Sequence, residues 1–285
     1  MTVSVIPNLD KRGASETVEK LGAFFKANGI DAYLPDNICC SSYKHANDDE
    51  LFRIADVIIT IGGDGTIIRH AKRAAAFDKP VLGINAGRMG YLANMEQSEL
   101  DLLKKLKTGD YDLESRMLLN VKVCENGKVI NEYDALNDVV ITSGFIARII
   151  DVSASLNGDT INYRADGIIV STPTGSTAYS MSAGGPIIDP TAECICITPI
   201  CSHSLSAKPI LLNADKQLKL TAYSKKRTEI YLSVDGRKVA SVKPSTEVIV
   251  SKSPKTVKLV RLSERSFYKT LSVKFMDIRS GTNER

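Results

Sequence analysis

The ten residues from Val57 to Thr66 constrain the fold more than any other part of the chain. An apolar, mostly β-branched run stops at the sequence Gly-Gly-Asp-Gly-Thr (62–66), and helical spacing resumes at Ile67. A short apolar run bounded by glycine predicts a buried strand, and the pattern after it predicts the start of a helix. The sequence therefore predicts a strand-to-helix turn, a place where α/β proteins bind ligands.

The composition of this turn favours phosphate chemistry. Gly62, Gly63 and Gly65 would let the backbone approach a ligand closely and adopt positive φ at low cost. Backbone N–H groups at the start of a helix attract phosphate. Asp64 is the unusual member, because a carboxylate beside a phosphate is repelled unless it binds a metal or takes a proton. We therefore predict phosphoryl transfer; the alternative is a tight turn in which Asp64 only caps the helix.

The first third of the chain alternates strand and helix signals, which predicts an α/β domain with a parallel, Rossmann-like sheet. Two predicted strands, Ala55–Ile61 and Pro80–Asn85, end in glycine-bearing loops. Loops at the carboxyl ends of parallel strands line one crevice, so we expect both loops to face the same ligand. The other elements predicted here are a strand at Val3–Ile6 and helices at Glu16–Asn28, Ile67–Ala76 and Leu100–Lys107.

After about residue 112 the pattern changes to β-branched and alternating runs, which predicts an all-β, sandwich-like domain. Asn126-Gly127 and Asn157-Gly158 are typical of hairpin turns. We therefore divide the chain into an α/β domain, 1–112, and an all-β domain, 113–261. The predicted strands are Leu118–Glu125, Lys128–Ala135, Asp138–Ser143, Ile149–Leu156, Ile168–Thr172, Ala192–Pro199, Gln217–Ala222, Glu229–Val234, Ser245–Ser251 and Val257–Val260, and a last segment, Phe267–Phe275, closes the chain.

The composition favours a soluble globular protein, with 43% hydrophobic and 25% charged residues. No apolar run is long enough to span a membrane, and the first ten residues lack the order of a signal peptide. We therefore expect a cytoplasmic protein without a membrane partner. The net charge of +4 is mild and the basic residues are not clustered, so nucleic acid is not an expected partner.

Six cysteines in a chain of 285 residues without a secretion signal predict reduced thiols. Cys194, Cys196, Cys201 and His203 invite a zinc site, but their spacing is unlike that of structural zinc sites. Isoleucines alternate with Cys194 and Cys196 as in a buried strand, where a free cysteine behaves as a small hydrophobe. We therefore favour core packing, predict no protein-built metal site, and expect a structural role for His203.

Two further segments carry polar groups suited to a nucleotide. Arg164-Ala165-Asp166-Gly167 is followed, after a predicted strand, by a run of small hydroxyl residues, 172–180, in which Tyr179 could stack on a flat ring. Asn137-Asp138 offers an amide for a base edge and a carboxylate for two ribose hydroxyls. Taken singly, the alternatives are a glycine–serine loop and a turn before a strand.

Taken together, the segments resemble the NAD kinases, which phosphorylate the 2′-hydroxyl of the adenosine ribose of NAD. The resemblance runs from about Ala55 to Asp235, and its most specific part is the 15-residue run from Thr172. GGDGT alone is shared with diacylglycerol and sphingosine kinases, and phosphofructokinases carry a related loop. The matching segments are GGDGT (62–66), NAGRMGYL (85–92), Asn137-Asp138, RADG (164–167) and TPTGSTAYSMSAGGP (172–186).

The resemblance implies that Asp64 is the general base and that ATP and NAD are the substrates. It also implies a homodimer or homotetramer, and a C-terminal tail, 262–285, that returns to the first domain. Charge on the triphosphate calls for a divalent ion, and we expect Mg²⁺ held mainly by substrate phosphates. The implied nucleotide contacts are Gly62, Gly63, Gly65, Thr66, Arg69, Asn137, Asp138, Arg148, Arg164, Asp166, Thr177, Ala178, Tyr179, Ser180 and Ser182.

Two segments depart from the usual sequence of the family. Met89-Gly90-Tyr91-Leu92 replaces a common Leu-Gly-Phe-Leu and keeps its size and apolar character. Asp235-Gly236-Arg237 replaces the Asp-Gly-Gln of many bacterial members, so Arg237 adds a positive charge.

Three other functions fit the sequence less well. Lipid kinases lack the segment from Thr172, and an NAD-dependent dehydrogenase would show an early GxGxxG. A catalytically silent NAD sensor would be expected to lose Asp64 or the pair at 137–138.

Overall fold

The computed structural model describes residues 1–87, 90–93, 95–144, 149–204, 206–225 and 228–280. The chain divides into two compact units. The first covers Met1–Ser115 and resumes at Val257, and the second covers Arg116–Thr256. Within the described ranges, no helix combines the length and the apolar character that a membrane crossing requires.

Strands and helices alternate in the first unit, as the sequence predicts. The elements in chain order are β1 (Thr2–Pro7), α1 (Ala14–Ala27), β2 (Asp31–Pro35), β3 (Lys44–Ala46), α2 (Asp48–Ile54), β4 (Val57–Gly62), α3 (Asp64–Ala76), β5 (Val81–Asn85), β6 (Met95–Glu96), a 3₁₀ turn (Leu100–Leu103) and α4 (Lys104–Thr108). Apolar residues at helical spacing put Val18, Leu21 and Phe25 of α1 into the core.

The second unit consists mostly of strands. In chain order the elements are β7 (Asp112–Glu125), β8 (Lys128–Ala135), β9 (Asp138–Ser143), β10 (Ile150–Leu156), β11 (Asp159–Ala165), β12 (Gly167–Ser171), a 3₁₀ turn (Thr174–Thr177), α5 (Tyr179–Ser182), β13 (Cys194–Ile200), β14 (Ile210–Asn213), β15 (Leu218–Tyr223), β16 (Ile230–Val234), β17 (Arg237–Val242) and β18 (Thr246–Arg261). The last helix, α6 (Phe267–Ser280), belongs to the first unit.

The sheet of the first unit is parallel, with the order β3-β2-β1-β4-β5 followed by the end of β18. All residues of β4 and β5 are buried, as in a parallel sheet covered on both faces. The strand order reverses at β1, because β2 lies on one side of it and β4 on the other. Ligands of open α/β sheets bind outside the carboxyl ends of the strands at such a switch point, here the ends of β1 and β4.

The second unit is antiparallel. One sheet has the order β14-β13-β12-β9-β16-β17, and the other contains β11-β10-β15-β18 and the β7–β8 pair. Leu119, Ile141, Ile168 and Leu220 are among the buried side chains of the shared core. The predicted class, an α/β domain with a parallel sheet followed by an all-β sandwich-like domain, is thereby confirmed.

The hairpin turns are confirmed as well, and their backbone shows why asparagine and glycine occupy them. Asn126 and Gly127 have φ of 51° and 75°, and Asn157 and Gly158 have φ of 52° and 93°. Two successive residues with positive φ are the requirement of a type I′ turn, which Asn-Gly meets at low cost.

Several elements differ from the prediction. The helix after the GGDGT turn begins at Asp64 rather than Ile67, so three of the presumed loop residues form its first turn. No element was predicted over 31–54, where β2, β3 and α2 are only five, three and seven residues long. The edge strand β11 was also missed, because its first four residues are exposed and show no alternation. The predicted strands 245–251 and 257–260 form one strand, β18.

Candidate active site

Asp64 lies at the first position of α3, directly after the strand-to-helix turn. Gly63 alone separates β4 from α3 and takes the N-cap position, so the alternative in which Asp64 caps the helix is wrong. The Asp64 carboxylate instead accepts hydrogen bonds from two backbone N–H groups, those of Tyr91 at 2.7 Å and Leu92 at 3.1 Å. These bonds fix the direction of the carboxylate.

The loop that holds Asp64 requires a glycine and is supported by α6. A Cβ atom on Gly90 would lie 1.9 Å from Oδ1 of Asp64, so only glycine allows this approach. The ring of Tyr91 packs against Phe267, with 5.9 Å between centroids, and Nζ of Lys274 lies 4.4 Å from the Tyr91 centroid. Burial raises the pKa of Tyr91, and the charge of Asp64 raises it further.

The glycines of the turn serve purposes other than positive φ, and that part of the prediction is wrong. None of the three has a positive φ. A Cβ on Gly62 would lie 2.5 Å from Oγ1 of Thr66, so this glycine allows the first turn of α3 to pack against β4. Among the described residues, no atom lies within 4 Å of the Cβ positions of Gly63 and Gly65. Their open side leaves room for a ligand to reach the backbone.

An asparagine lies at the carboxyl end of each strand that pairs with β4, namely β1 and β5. Asn8 follows β1, and its Nδ2 donates to Oγ1 of Thr66 at 3.3 Å. Asn85 ends β5 in register with Gly62, and its Nδ2 donates to the carbonyl of Gly87 at 2.8 Å. Oδ1 of Asn85 is buried and has no hydrogen-bond partner within the described part of the chain. Sequence reasoning missed Asn8 and gave Asn85 no role.

The two arginines predicted as nucleotide contacts, Arg69 and Arg148, have different outcomes. Arg69 lies on α3 with an exposed side chain. Arg148 falls in 145–148, which is outside the described residues.

In the second unit, the pair Asn137-Asp138 lies where β9 begins, and other segments hold its backbone. The Asp235 carboxylate accepts from the N–H groups of Asn137 and Asp138, at 2.7 and 3.2 Å. The N–H of Thr172 donates to the carbonyl of Asn137 at 2.9 Å. A Cβ on Gly175 would lie 2.0 Å from that carbonyl oxygen. Three separated motifs thus meet at Asn137.

The hydroxyl-rich segment is partly internal framework. Oγ of Ser180 is hydrogen-bonded to Oγ1 of Thr198 at 3.0 Å, and Ser180 is fully buried. Oγ of Ser176 donates to the carbonyl of Pro173 at 2.6 Å. Thr177, Ala178, Tyr179 and Ser182, in contrast, are half-buried or exposed. These four retain exposed surface, whereas the side chain of Ser180 does not.

Tyr179 interacts electrostatically with two other predicted nucleotide contacts of this unit, Asp138 and Asp166. Its side chain remains 45% exposed, which leaves a ring surface available for stacking. Burial of the remainder is the main cause that raises the pKa of Tyr179. Cys201, Asp138 and Asp166 raise it further by disfavouring the charged phenolate. The structure therefore brings Asp138 and Asp166 within electrostatic range of Tyr179.

Arg164 lines a cavity of about 250 Å³ in the second unit. The lining also includes Lys208 and the hydroxyl residues Ser202, Ser204 and Ser206. Two cationic side chains and several hydroxyls suit an anionic ligand.

The cysteines are free thiols, and the three at 194–201 differ in how deeply they are buried. Cys196 is buried on β13, Cys194 is half-buried, and Cys201 is exposed. His203 is exposed, and its N–H donates to the carbonyl of Arg164 at 2.8 Å. Among the described residues, no group of three or more His, Cys, Asp or Glu side chains is arranged to hold a metal ion.

Family models match both parts of the chain that carry these residues. The ATP-NAD kinase N-terminal domain matches residues 37–111, and the ATP-NAD kinase C-terminal domain matches residues 136–262. The chain belongs to the ATP-NAD kinase family. It is therefore a kinase that transfers phosphate from ATP to NAD.

Relatives of this family match over nearly the whole chain. An NAD kinase of Natranaerobius thermophilus is 38% identical over 279 residues, covering 96% of this chain and 97% of the relative. An NAD kinase of Symbiobacterium thermophilum is 44% identical over 222 residues, covering 77% of this chain and 78% of the relative.

Solved structures show the same fold. A yeast NADH kinase complexed with NADH has a TM-score of 0.85 at 21% identity, covering 100% of this chain and 89% of that one. An NAD kinase from Archaeoglobus fulgidus in complex with ATP has a TM-score of 0.72 at 26% identity, covering 98% and 99%.

Proposed function

We propose that this kinase transfers the γ-phosphoryl group of ATP to the 2′-hydroxyl of the adenosine ribose of NAD, with Asp64 as general base. The observation that carries the proposal is the Asp64 carboxylate, fixed by two backbone N–H groups beside the open glycines 63 and 65. A strand-to-helix turn of this kind combines a proton acceptor with amides suited to phosphate.

In the proposed step, the 2′-oxygen forms a bond to the γ-phosphorus as the bond from that phosphorus to the β,γ-bridging oxygen breaks. ADP leaves, and the hydroxyl proton passes to Asp64 and then to water. A carboxylate is a weak base for a ribose hydroxyl, so it takes the proton late. General bases contribute roughly 10²–10⁴-fold, and positioning and charge neutralisation supply the rest.

The phosphates of ATP would lie against the backbone amides at the start of α3, where the helix dipole also favours negative charge. Mg²⁺ would be held mainly by these phosphates, because the ion keeps several waters and seldom needs an all-protein cage. The unsatisfied Oδ1 of Asn85 fits this arrangement, since it would accept a hydrogen bond from a water of the hydrated ion. When bound, the ion would neutralise part of the negative charge of the triphosphate.

The second unit would hold the dinucleotide. Asp138 would accept the ribose hydroxyls, Asn137 would face a base edge, and Tyr179 would stack on a flat ring. Thr177, Ala178, Ser182 and Asp166 are the other proposed contacts. Arg164, with Lys208 in the same cavity lining, would attract the pyrophosphate. Ser180 would act through its buried hydrogen bond to Thr198 rather than by contact.

We also propose a cytoplasmic homodimer or homotetramer. Six free thiols suit a reducing compartment. Ile161 on β11 and Leu211 on β14 are 44% and 54% exposed, and both strands have an unpaired edge among the described strands. Exposed apolar residues on sheet edges support association between subunits.

An endpoint assay tests the proposed reaction. Purified protein is incubated with Mg²⁺-ATP and NAD, and NADP is read with an NADP-specific dehydrogenase. Formation of NADP is the expected result. Product with polyphosphate but not with ATP would change the donor. The absence of product with either donor, together with tight NAD binding, would favour a catalytically silent sensor, and phosphorylation of a lipid instead would favour a lipid kinase.

A further inference from the structure

Asp235 holds three consecutive backbone amides of another segment. It lies in the hairpin turn between β16 and β17. Its carboxylate accepts from the N–H groups of Leu136 at 3.0 Å, Asn137 at 2.7 Å and Asp138 at 3.2 Å. Both carboxylate oxygens are used, Oδ2 by the first bond and Oδ1 by the other two. The N–H of Asp235 donates back to the carbonyl of Asp138 at 2.9 Å.

The turn itself does not require a carboxylate. Asp235 and Gly236 have φ of 46° and 75°, close to the values at the Asn126-Gly127 and Asn157-Gly158 turns. Asparagine therefore supports the same backbone at two other hairpins of this unit. An asparagine at 235 would offer one oxygen and would turn its NH₂ group toward an N–H donor, so it could not serve all three amides. The carboxylate at 235 is explained by the amides it holds.

The peptide of Asn137 is held from both sides. The Asp235 carboxylate accepts a hydrogen bond from the N–H of Asn137, and the carbonyl of Asn137 accepts one from the N–H of Thr172 at 2.9 Å. Gly175 permits this contact, because a Cβ there would lie 2.0 Å from the same carbonyl oxygen. With both backbone groups engaged, the directions in which the side chains of residues 137 and 138 leave the backbone are fixed.

We propose that Asp235 is a positioning residue that sets the Asn137-Asp138 pair for binding of the dinucleotide. The inference rests on the proposed role of that pair in holding NAD. Hydrogen bonds from amides to a carboxylate are stronger than those to a neutral acceptor, so losing the charge loosens all three amides. The effect falls on NAD binding, because the carboxylate is bonded to backbone rather than to the reacting atoms.

The test is Asp235→Asn, which keeps the turn and removes the charge. We expect the KM and the Kd for NAD to rise at least about tenfold, with the KM for ATP and kcat within about threefold of the wild type. Amide hydrogen exchange at 136–138 should speed up, while exchange in the β10–β11 hairpin should not change. The matched control is Asn157→Asp, which makes the reverse change at an equivalent turn and should leave all constants unchanged.

Asp235→Gly is the second variant, because glycine also accepts positive φ and removes the carboxylate entirely. It should raise the KM for NAD at least as much as Asp235→Asn. Unchanged NAD binding in either variant would overturn the inference. So would parallel losses in both KM values, kcat and thermal stability, which would indicate a general structural role. A wild-type protein that does not bind NAD would instead contradict the proposed function.

Discussion

Glycines in two motifs of this chain serve opposite purposes. Gly63 and Gly65, on either side of Asp64, have no atom of the described part of the chain within 4 Å of their Cβ positions. Gly175 and Gly185, in the hydroxyl-rich segment of the second unit, would place a Cβ 2.0 Å from the carbonyl oxygen of residue 137 and 2.3 Å from Oγ of residue 180. The first pair leaves open space beside the backbone, whereas the second pair allows other parts of the protein to pack closely against the backbone.

The difference shows what each motif contributes. Gly65 lies in the first turn of α3, where alanine would be more favourable by roughly 0.5–1 kcal/mol. The proposed ligand would account for a glycine that weakens its own helix and has no described atom near its Cβ position. Gly175 allows the segment to hold the Asn137 peptide, so its contribution is internal. Gly63 and Gly65 therefore differ from Gly175 and Gly185, which serve internal packing.

Gly175→Ala should have the largest effect on folding. The overlap is with backbone, which cannot move aside as a flexible side chain can. We expect a loss of about 3 kcal/mol, the upper end for overpacking, and a fall of about 6–12 °C in the melting temperature. Differential scanning calorimetry measures this change. A melting temperature equal to that of the wild type would show that the carbonyl of Asn137 has room to shift.

Gly65→Ala should separate activity from stability. Its Cβ would meet open space, so we expect stability to be unchanged or to rise by about 0.5–1 kcal/mol. If phosphate or dinucleotide occupies that space, kcat/KM should fall at least about tenfold, equivalent to roughly 1.4 kcal/mol. Thermal melts and steady-state kinetics, with Gly175→Ala measured alongside, give the comparison. An alanine variant that is stable and fully active would mean that no ligand uses the open side.

Arg237→Gln should have the smallest effect. Arg237 is exposed at the start of β17, directly after the Asp235-Gly236 turn. Removing an exposed positive charge should favour the cationic nicotinamide of NAD over neutral NADH by a few-fold, in line with roughly 0.2–1 kcal/mol for exposed charge pairs. Steady-state kinetics with both dinucleotides measure the ratio. Identical constants for variant and wild type would remove Arg237 from nucleotide selection.

The parts of the fold predicted from sequence are those with strong local signals. The β4–α3 turn combines a β-branched run with glycines, and Asn126-Gly127 combines turn residues with flanking strands. Residues 31–54 give weaker signals, because β2 has five residues and the edge strand β3 only three, too few to show a period. The helix α2 depends on its N-cap, where the Asn47 side chain accepts from the N–H of Glu50 at 3.1 Å.

The candidate site divides in the same way. Asp64, Asn137 and Asp138 were predicted because each belongs to a recognisable motif. Their supports come from far along the chain, since Tyr91 is 27 residues from Asp64 and Asp235 is 98 residues from Asn137. Bonds to backbone amides leave no local pattern, so such partners are visible only in the fold. The burial of Ser180 is likewise a tertiary fact that its hydroxyl-rich neighbourhood does not indicate.

The most direct test of the account is to measure NAD binding and NADP formation on one preparation of Asp64→Asn. Asparagine keeps the size of the side chain but cannot take the proton. We expect the Kd for NAD from calorimetry to stay within about threefold, while kcat falls at least about 10²-fold, the lower end for a general base. Asp48→Asn, at an exposed carboxylate on α2, is the control and should behave as the wild type. Near-normal turnover by Asp64→Asn would contradict the assignment of the base.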